Sequence, residues 1–214
     1  MYLVKTPRWL KSLFSNYMWH ISATQKVLYL TFDDGPHPVA TPFVLDELKK
    51  HEAKATFFCI GKNVLENDAV YQRIIAEGHT VANHTNNHLN GWKTTDEIYV
   101  DNIYEASKHI NSRLFRPPYG RIKKNQGRAL LAKGFKIVMW DVLSGDFDIN
   151  LSPQNCLNNV AGNSVPGSII VFHDSEKAFK NMSYALPRVL NFFIEKGFRF
   201  EALNGLSFEK GGPE

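Results

Sequence analysis

Only two cysteines occur in the 214 residues, Cys59 and Cys156. They cannot build a disulfide framework, and neither has a second Cys or a His at zinc-ligand spacing, so both read as free thiols. No stretch approaches the roughly 18 apolar residues of a membrane span. No Lys/Arg run or stripe appears, and a formal charge of +4 from 25 basic and 21 acidic residues leaves no nucleic-acid footprint. Internal repeats, low-complexity tracts and linkers are absent too, which leaves one globular domain with a full core. Residues 1–32 contain no Asp or Glu. They also lack the apolar core and small-residue cleavage site of a secretory signal, so the chain as written reads as cytoplasmic, with the cell envelope as the alternative.

What residues 1–26 do have is Lys5, Arg8, Lys11 and Lys26, with Trp9, Leu10, Leu13, Phe14, Tyr17 and Met18 at helical spacing. This basic amphipathic segment is expected to pack on the domain, the alternative being weak contact with a membrane surface. Residues 27–202 form the expected domain and 203–214 a C-terminal tail.

Within the domain, strand-like runs at 27–32, 55–60, 80–82, 114–116, 136–140, 168–172 and 198–201 alternate with helical stretches at 42–50, 64–77, 95–112, 123–133, 153–163 and 185–196. Gly78, Gly134 and Gly197 each end a helix before a strand. Such alternation predicts parallel βα units, and about seven of them in a small α/β domain fit a distorted barrel better than an open sheet.

The polar clusters fall at the ends of those strands. They are Thr31-Phe32-Asp33-Asp34-Gly35, His84-Thr85-Asn86-Asn87-His88, Arg116-Pro117-Pro118-Tyr119-Gly120, Asp146 and Phe172-His173-Asp174. Arg116 follows His88 by 28 residues, Asp146 follows Arg116 by 30 and His173 follows Asp146 by 27, each about one βα unit. Two His four residues apart with a carboxylate make a three-ligand set with an open position, suited to activating water. The same set also serves non-haem iron enzymes. Adjacent carboxylates Asp33 and Asp34 can divide the labour, one ligating and the other taking a proton.

On these motifs the chain resembles polysaccharide deacetylases of the NodB-homology type, carbohydrate esterase family 4, from about residue 27 to 202. The resemblance implies a NodB-like barrel that removes acetyl groups from N- or O-acetylated saccharides such as peptidoglycan, chitin-like oligomers or xylan. It implies that Asp33 is the base and that Asp34, His84 and His88 bind one divalent metal, zinc first, with Co, Ni or Mn as substitutes. It also implies that Arg116 pairs with Asp33, that the Tyr119 N–H stabilises the oxyanion, and that Asp146 orients His173, the acid. Two positions depart from the pattern: Phe147 stands where Trp is usual, and Val171 where Leu is. With Pro118 and the loop residue Trp92 they are the candidate substrate contacts. Asp141 and Asp148 are rivals to Asp146, and a sugar-binding protein without catalysis is the non-enzymatic alternative. His20, His37, His51, His79 and His109 have no place in this scheme.

Overall fold

The computed structural model describes residues 2–22 and 24–204; most of the expected tail lies outside them. Seven parallel strands form a curled half-barrel in the order β5-β4-β3-β2-β1-β7-β6. They are β1 (Val27–Asp33), β2 (Ala55–Cys59), β3 (Thr80–Asn83), β4 (Leu114–Phe115), β5 (Lys136–Ile137), β6 (Val142–Leu143) and β7 (Ile169–His173). A short β8 (Arg199–Phe200) pairs with the start of β1. The helices are α1 (Arg8–Leu13), α2 (Ala40–Lys50), α3 (Gly61–Glu66), α4 (Asp68–Ala76), α5 (Asp96–Ser107), α6 (Lys124–Ala132), α7 (Pro153–Ala161) and α8 (Glu176–Glu195).

The period of two along each strand separates the packing layer from the chemistry. Leu28, Leu30 and Phe32 of β1 join Phe57, Ile170 and Phe172 in the main core, with Val44, Leu48, Leu186 and Val189 of α2 and α8. Val27 and Tyr29 point the other way, into the barrel, beside Phe58, Ala82 and Ile169. Continuing that alternation, Thr31 and Asp33 lie on the inner face, as do Val171 and His173 of β7. The register sets Thr31 against Val171 and Asp33 against His173. Each inner face is therefore apolar at its base and polar at its C-terminal rim, where parallel α/β architectures place their sites.

Several expected boundaries move. The helix expected over 64–77 is two, broken at Asn67, whose side-chain amide donates to Pro36 O and Asn63 O and so competes with the helical ladder. α8 begins nine residues before position 185 and carries Pro187 inside it, because its buried face is continuous from Ala178 to Phe193. β6 was not foreseen: it is two residues long and follows β5 with no helix between them.

The N-terminal segment is not one helix over the aromatic stripe. α1 spans only Arg8–Leu13 and buries none of its residues, while the chain around it runs along the two edges of the sheet. Leu143 N–H donates to Val4 O at 2.8 Å and Thr6 N–H to Asp141 O at 2.9 Å on the β6 side. On the β5 side Met18 N–H donates to Ile137 O at 2.8 Å, and Met139 N–H to Met18 O at 2.7 Å. The buried Asp141 anchors this strap, with Lys5 Nζ and Ser168 Oγ each at 2.6 Å, Lys11 Nζ in contact and His20 Nδ1 at 3.4 Å. No helix among the described residues is long and apolar enough to cross a membrane.

Candidate active site

Four strand ends deliver the site. Asp33 closes β1, His84 follows β3, Arg116 follows β4 and His173 closes β7. The Arg116 guanidinium is fully buried and donates to Asp33 Oδ1 at 2.6 Å, Thr31 Oγ1 at 2.7 Å, Met139 O at 2.9 Å and Val138 O at 3.2 Å. It lies over the Phe58 ring at 4.0 Å. A buried charge with that many acceptors is held in one orientation, and it fixes Asp33 Oδ1 in turn. Burial outweighs Asp33 in lowering the Arg116 pKa, from a value so high that the charge remains.

Asp34, His84 and His88 converge so that one ligand atom from each lies within 4.8 Å of the others. His84 Nδ1 sits 2.8 Å from Arg116 O. A carbonyl only accepts, so Nδ1 carries the proton and Nε2 faces the cluster bare. Burial drives the His84 pKa down to about 4, keeping the ring neutral at pH 7. Asp34 Oδ1 is buried without a hydrogen bond, although His88 Nε2 is 3.1 Å and His84 Nε2 3.7 Å away. Burial alone would push the Asp34 carboxyl up, but His88, His173 and His84 outweigh it and hold it below the usual carboxylate range. An orphaned carboxylate oxygen facing two imidazole nitrogens fits a divalent cation.

On the opposite side, Asp146 Oδ1 accepts from His173 Nδ1–H at 2.8 Å and Oδ2 from the His173 backbone N–H at 2.7 Å. Burial would lower the His173 pKa, but the Asp146 charge and hydrogen bond, helped by Asp34 and Asp33, raise it to about 10. The two rivals are engaged elsewhere: Asp141 anchors the strap, and Asp148 accepts from Tyr2 OH at 3.1 Å. Phe147 sets its edge against the His173 ring, with centroids 5.2 Å apart. Val171 lies two residues below His173 on the same inner face and is 1% exposed, so it is floor rather than wall.

Tyr119 sits at φ 60° in a 3-10 turn, Pro118–Gly120, whose Gly120 and Arg121 N–H groups return to Pro117 O and Pro118 O. The Tyr119 N–H, at the start of that turn, has no acceptor within it. Its ring packs tilted against His88, with centroids 4.6 Å apart, and is largely exposed, as is Trp92, while Pro118 is buried beneath. Of the five non-glycine residues with positive φ among the described residues, four belong to these motifs: Asp34, Thr85, His88 and Tyr119. Such strain persists only where surrounding structure enforces it, and it concentrates at functional sites.

The sequence reading assigned no role to Asp174. Its Oδ1 accepts from Gly35 N–H at 3.0 Å and its Oδ2 from Thr41 Oγ1 at 2.5 Å, tying the strand of His173 to the loop of Asp34. A Cβ on Gly35 would lie 2.0 Å from Asp174 Oδ2, so only glycine fits there. The signal was its place directly after His173.

A sequence model of the polysaccharide deacetylase family matches residues 20–138, which include Asp33, Asp34, His84, His88 and Arg116 and stop short of Asp146 and His173. A peptidoglycan-N-acetylglucosamine deacetylase of Bacillus cereus is 38% identical over 181 residues, covering 81% of this chain and 66% of its own length. The crystal structure of a peptidoglycan N-acetylglucosamine deacetylase in complex with 4-naphthalen-1-yl-N-oxidanyl-benzamide superposes with a TM-score of 0.83 at 35% identity, over 88% of this chain and 91% of that one. A carbohydrate esterase family 4 pseudoenzyme from Bacillus anthracis shares the fold, with a TM-score of 0.78 at 24% identity, covering 88% of this chain and 68% of its own. With its motifs seated as described on a curled parallel barrel, the chain belongs to the polysaccharide deacetylase family.

Proposed function

We propose that this protein is a metal-dependent hydrolase that removes acetyl groups from N-acetylated saccharides, with peptidoglycan-type N-acetylglucosamine as the first substrate to test and O-acetylated glycans as the alternative. The observation that carries this reading is the facing pair of supported groups. Asp33 held by Arg116 and His173 held by Asp146 flank the Asp34, His84 and His88 cluster.

A divalent cation, zinc in the first instance, would be held by Asp34, His84 and His88 and supply Lewis acidity that polarises the acetyl carbonyl and lowers the pKa of water. Asp33 Oδ2, the oxygen not given to Arg116, takes the proton from the attacking water. The Tyr119 N–H donates to the oxyanion as it forms. His173, protonated at neutral pH and fixed through Nδ1, delivers its Nε2 proton to the departing nitrogen. Phe147 and Val171 wall and floor the acetyl side, and Trp92 and Pro118 shape the approach of the sugar.

The fold is shared with a pseudoenzyme, so activity needs its own test. Acetate release is measured over a panel of acetylated glycans after chelation and metal add-back. Release restored by zinc, cobalt, nickel or manganese is the expected result. Tight saccharide binding without acetate would favour a binding protein, and iron-dependent oxygen consumption a non-haem iron enzyme.

A further inference from the structure

Beside the cluster lies a groove of about 330 Å³, between the strap and the turn of Tyr119. Its walls include Leu3, Leu10 and Phe14 of the strap and Trp92, Tyr119 and Trp140 of the barrel. It starts at the candidate site, since the Tyr119 ring on its wall is the one that packs against His88.

Four of the polar side chains along it are already engaged, those of Tyr17, Tyr119 and Trp140 being the others. Trp19 Nε1 donates to Phe14 O at 3.0 Å, Trp92 Nε1 to Ile122 O at 3.2 Å, Thr6 Oγ1 to Trp140 O at 2.8 Å and Tyr2 OH to Asp148 Oδ2 at 3.1 Å. A sugar ring could stack on these aromatics, but its hydroxyls would leave water for few partners, and an unmade hydrogen bond is costly. An alkyl chain loses nothing there and gains in proportion to the area it buries. The volume is at the lower end for a small-molecule site.

We propose that this groove binds the alkyl or acyl chain of an amphiphilic saccharide, whose sugar head lies at the Asp34, His84 and His88 end. The placing of the head rests on the deacetylase reading; binding of the chain does not.

The test is calorimetric binding of n-alkyl β-glucosides of increasing length, each below its micelle concentration, to the full chain under chelation. The dissociation constant is expected to fall by about fourfold per added methylene until the groove is full. Leu10→Lys, which puts a charge on a half-buried wall of the groove, should raise the octyl glucoside constant at least tenfold and flatten the series. Leu13→Lys, on the exposed side of that helix, should leave the series as it is. Should Leu10→Lys melt early, Leu10→Gln takes its place. A dissociation constant indifferent to chain length overturns the proposal. So does a Leu10 variant that weakens a chitooligosaccharide as much as octyl glucoside, which would make the groove a sugar subsite. Failure of acetate release with the length series intact would strike the deacetylase reading alone.

Discussion

Asp33 and Arg116 form a buried ion pair in which either partner alone would be expensive. Asp33→Asn should therefore do two things: slow acetate release by about 10²- to 10⁴-fold, and lower unfolding stability by roughly 3–5 kcal/mol, since the guanidinium keeps its charge in a site without an anion. Urea unfolding beside a rate assay reads both, and unchanged stability would dismiss the pairing as a structural determinant. In the proposed mechanism His173 sets the alkaline limb of the rate. Its pKa is raised from 6.5 to about 10, partly by Asp34 and Asp33, whose pull a bound cation would offset. With protonated His173 as the proposed acid, the rate should fall as pH rises through a value between those limits. Asp146→Asn removes the largest raising influence and should move the limb toward 6.5; a limb that stays put assigns it to another group. The sequence showed Asp33, Arg116 and His173 because their neighbours are fixed in type. Adjacency to His173 marked Asp174 without revealing its partner, because the contact from Asp174 to Gly35 spans 139 residues.

Strands β1, β2 and β7 were legible as apolar runs because both their faces are buried. β6 was not, since two residues carry no periodicity and its pairing with β7 is tertiary. The N-terminal stripe was expected to pack on the domain as an amphipathic helix. Its spacing suited a helix facing a surface, yet Lys5 and Lys11 turn onto Asp141, and backbone pairing with β5 and β6 overrides helix propensity. Burial works against ionisation of Asp141, but His20, Lys11, Lys5 and Ser168 prevail and hold its carboxyl well below 3.8. A lowered carboxyl stabilises the fold above its unfolded pKa and loses that contribution as pH falls through the folded value. The wild type should accordingly lose stability below about pH 4, and Asp141→Asn, weaker at pH 7, should lose less over the same range. Equal slopes would take Asp141 out of the anchor. With Lys5 and Lys11 engaged, we also expect no co-sedimentation with anionic vesicles at physiological salt; salt-sensitive binding would instead revive a membrane role for the strap. The strap reaches the acid as well. Tyr2 packs tilted against Phe147 with centroids 5.1 Å apart, and Phe147 abuts His173. Tyr2→Ala should lower kcat more than it raises KM, and an effect on KM alone would confine Tyr2 to substrate binding.

Across the whole molecule the candidate ligands come from distant stretches of chain, Asp34 after β1 and the two His after β3, so only the folded barrel assembles them. A cation that binds this set binds the native state alone and stabilises it by mass action. At 100 times its dissociation constant the gain is about 2.7 kcal/mol, which for a domain of this size shifts the melting temperature by roughly 5–10 °C. We therefore expect zinc to raise the melting temperature of chelated protein by that amount, and His84→Ala or His88→Ala to abolish the rise. His84→Ala should also lower the melting temperature without metal, because its Nδ1–H satisfies Arg116 O, whereas His88→Ala should cost less, since the His88 side chain is a quarter exposed. That difference separates a lost ligand from a damaged fold. If both variants kept the full zinc-dependent rise, the cation would be sitting elsewhere, and Asp34 Oδ1 would need another explanation for its missing partner.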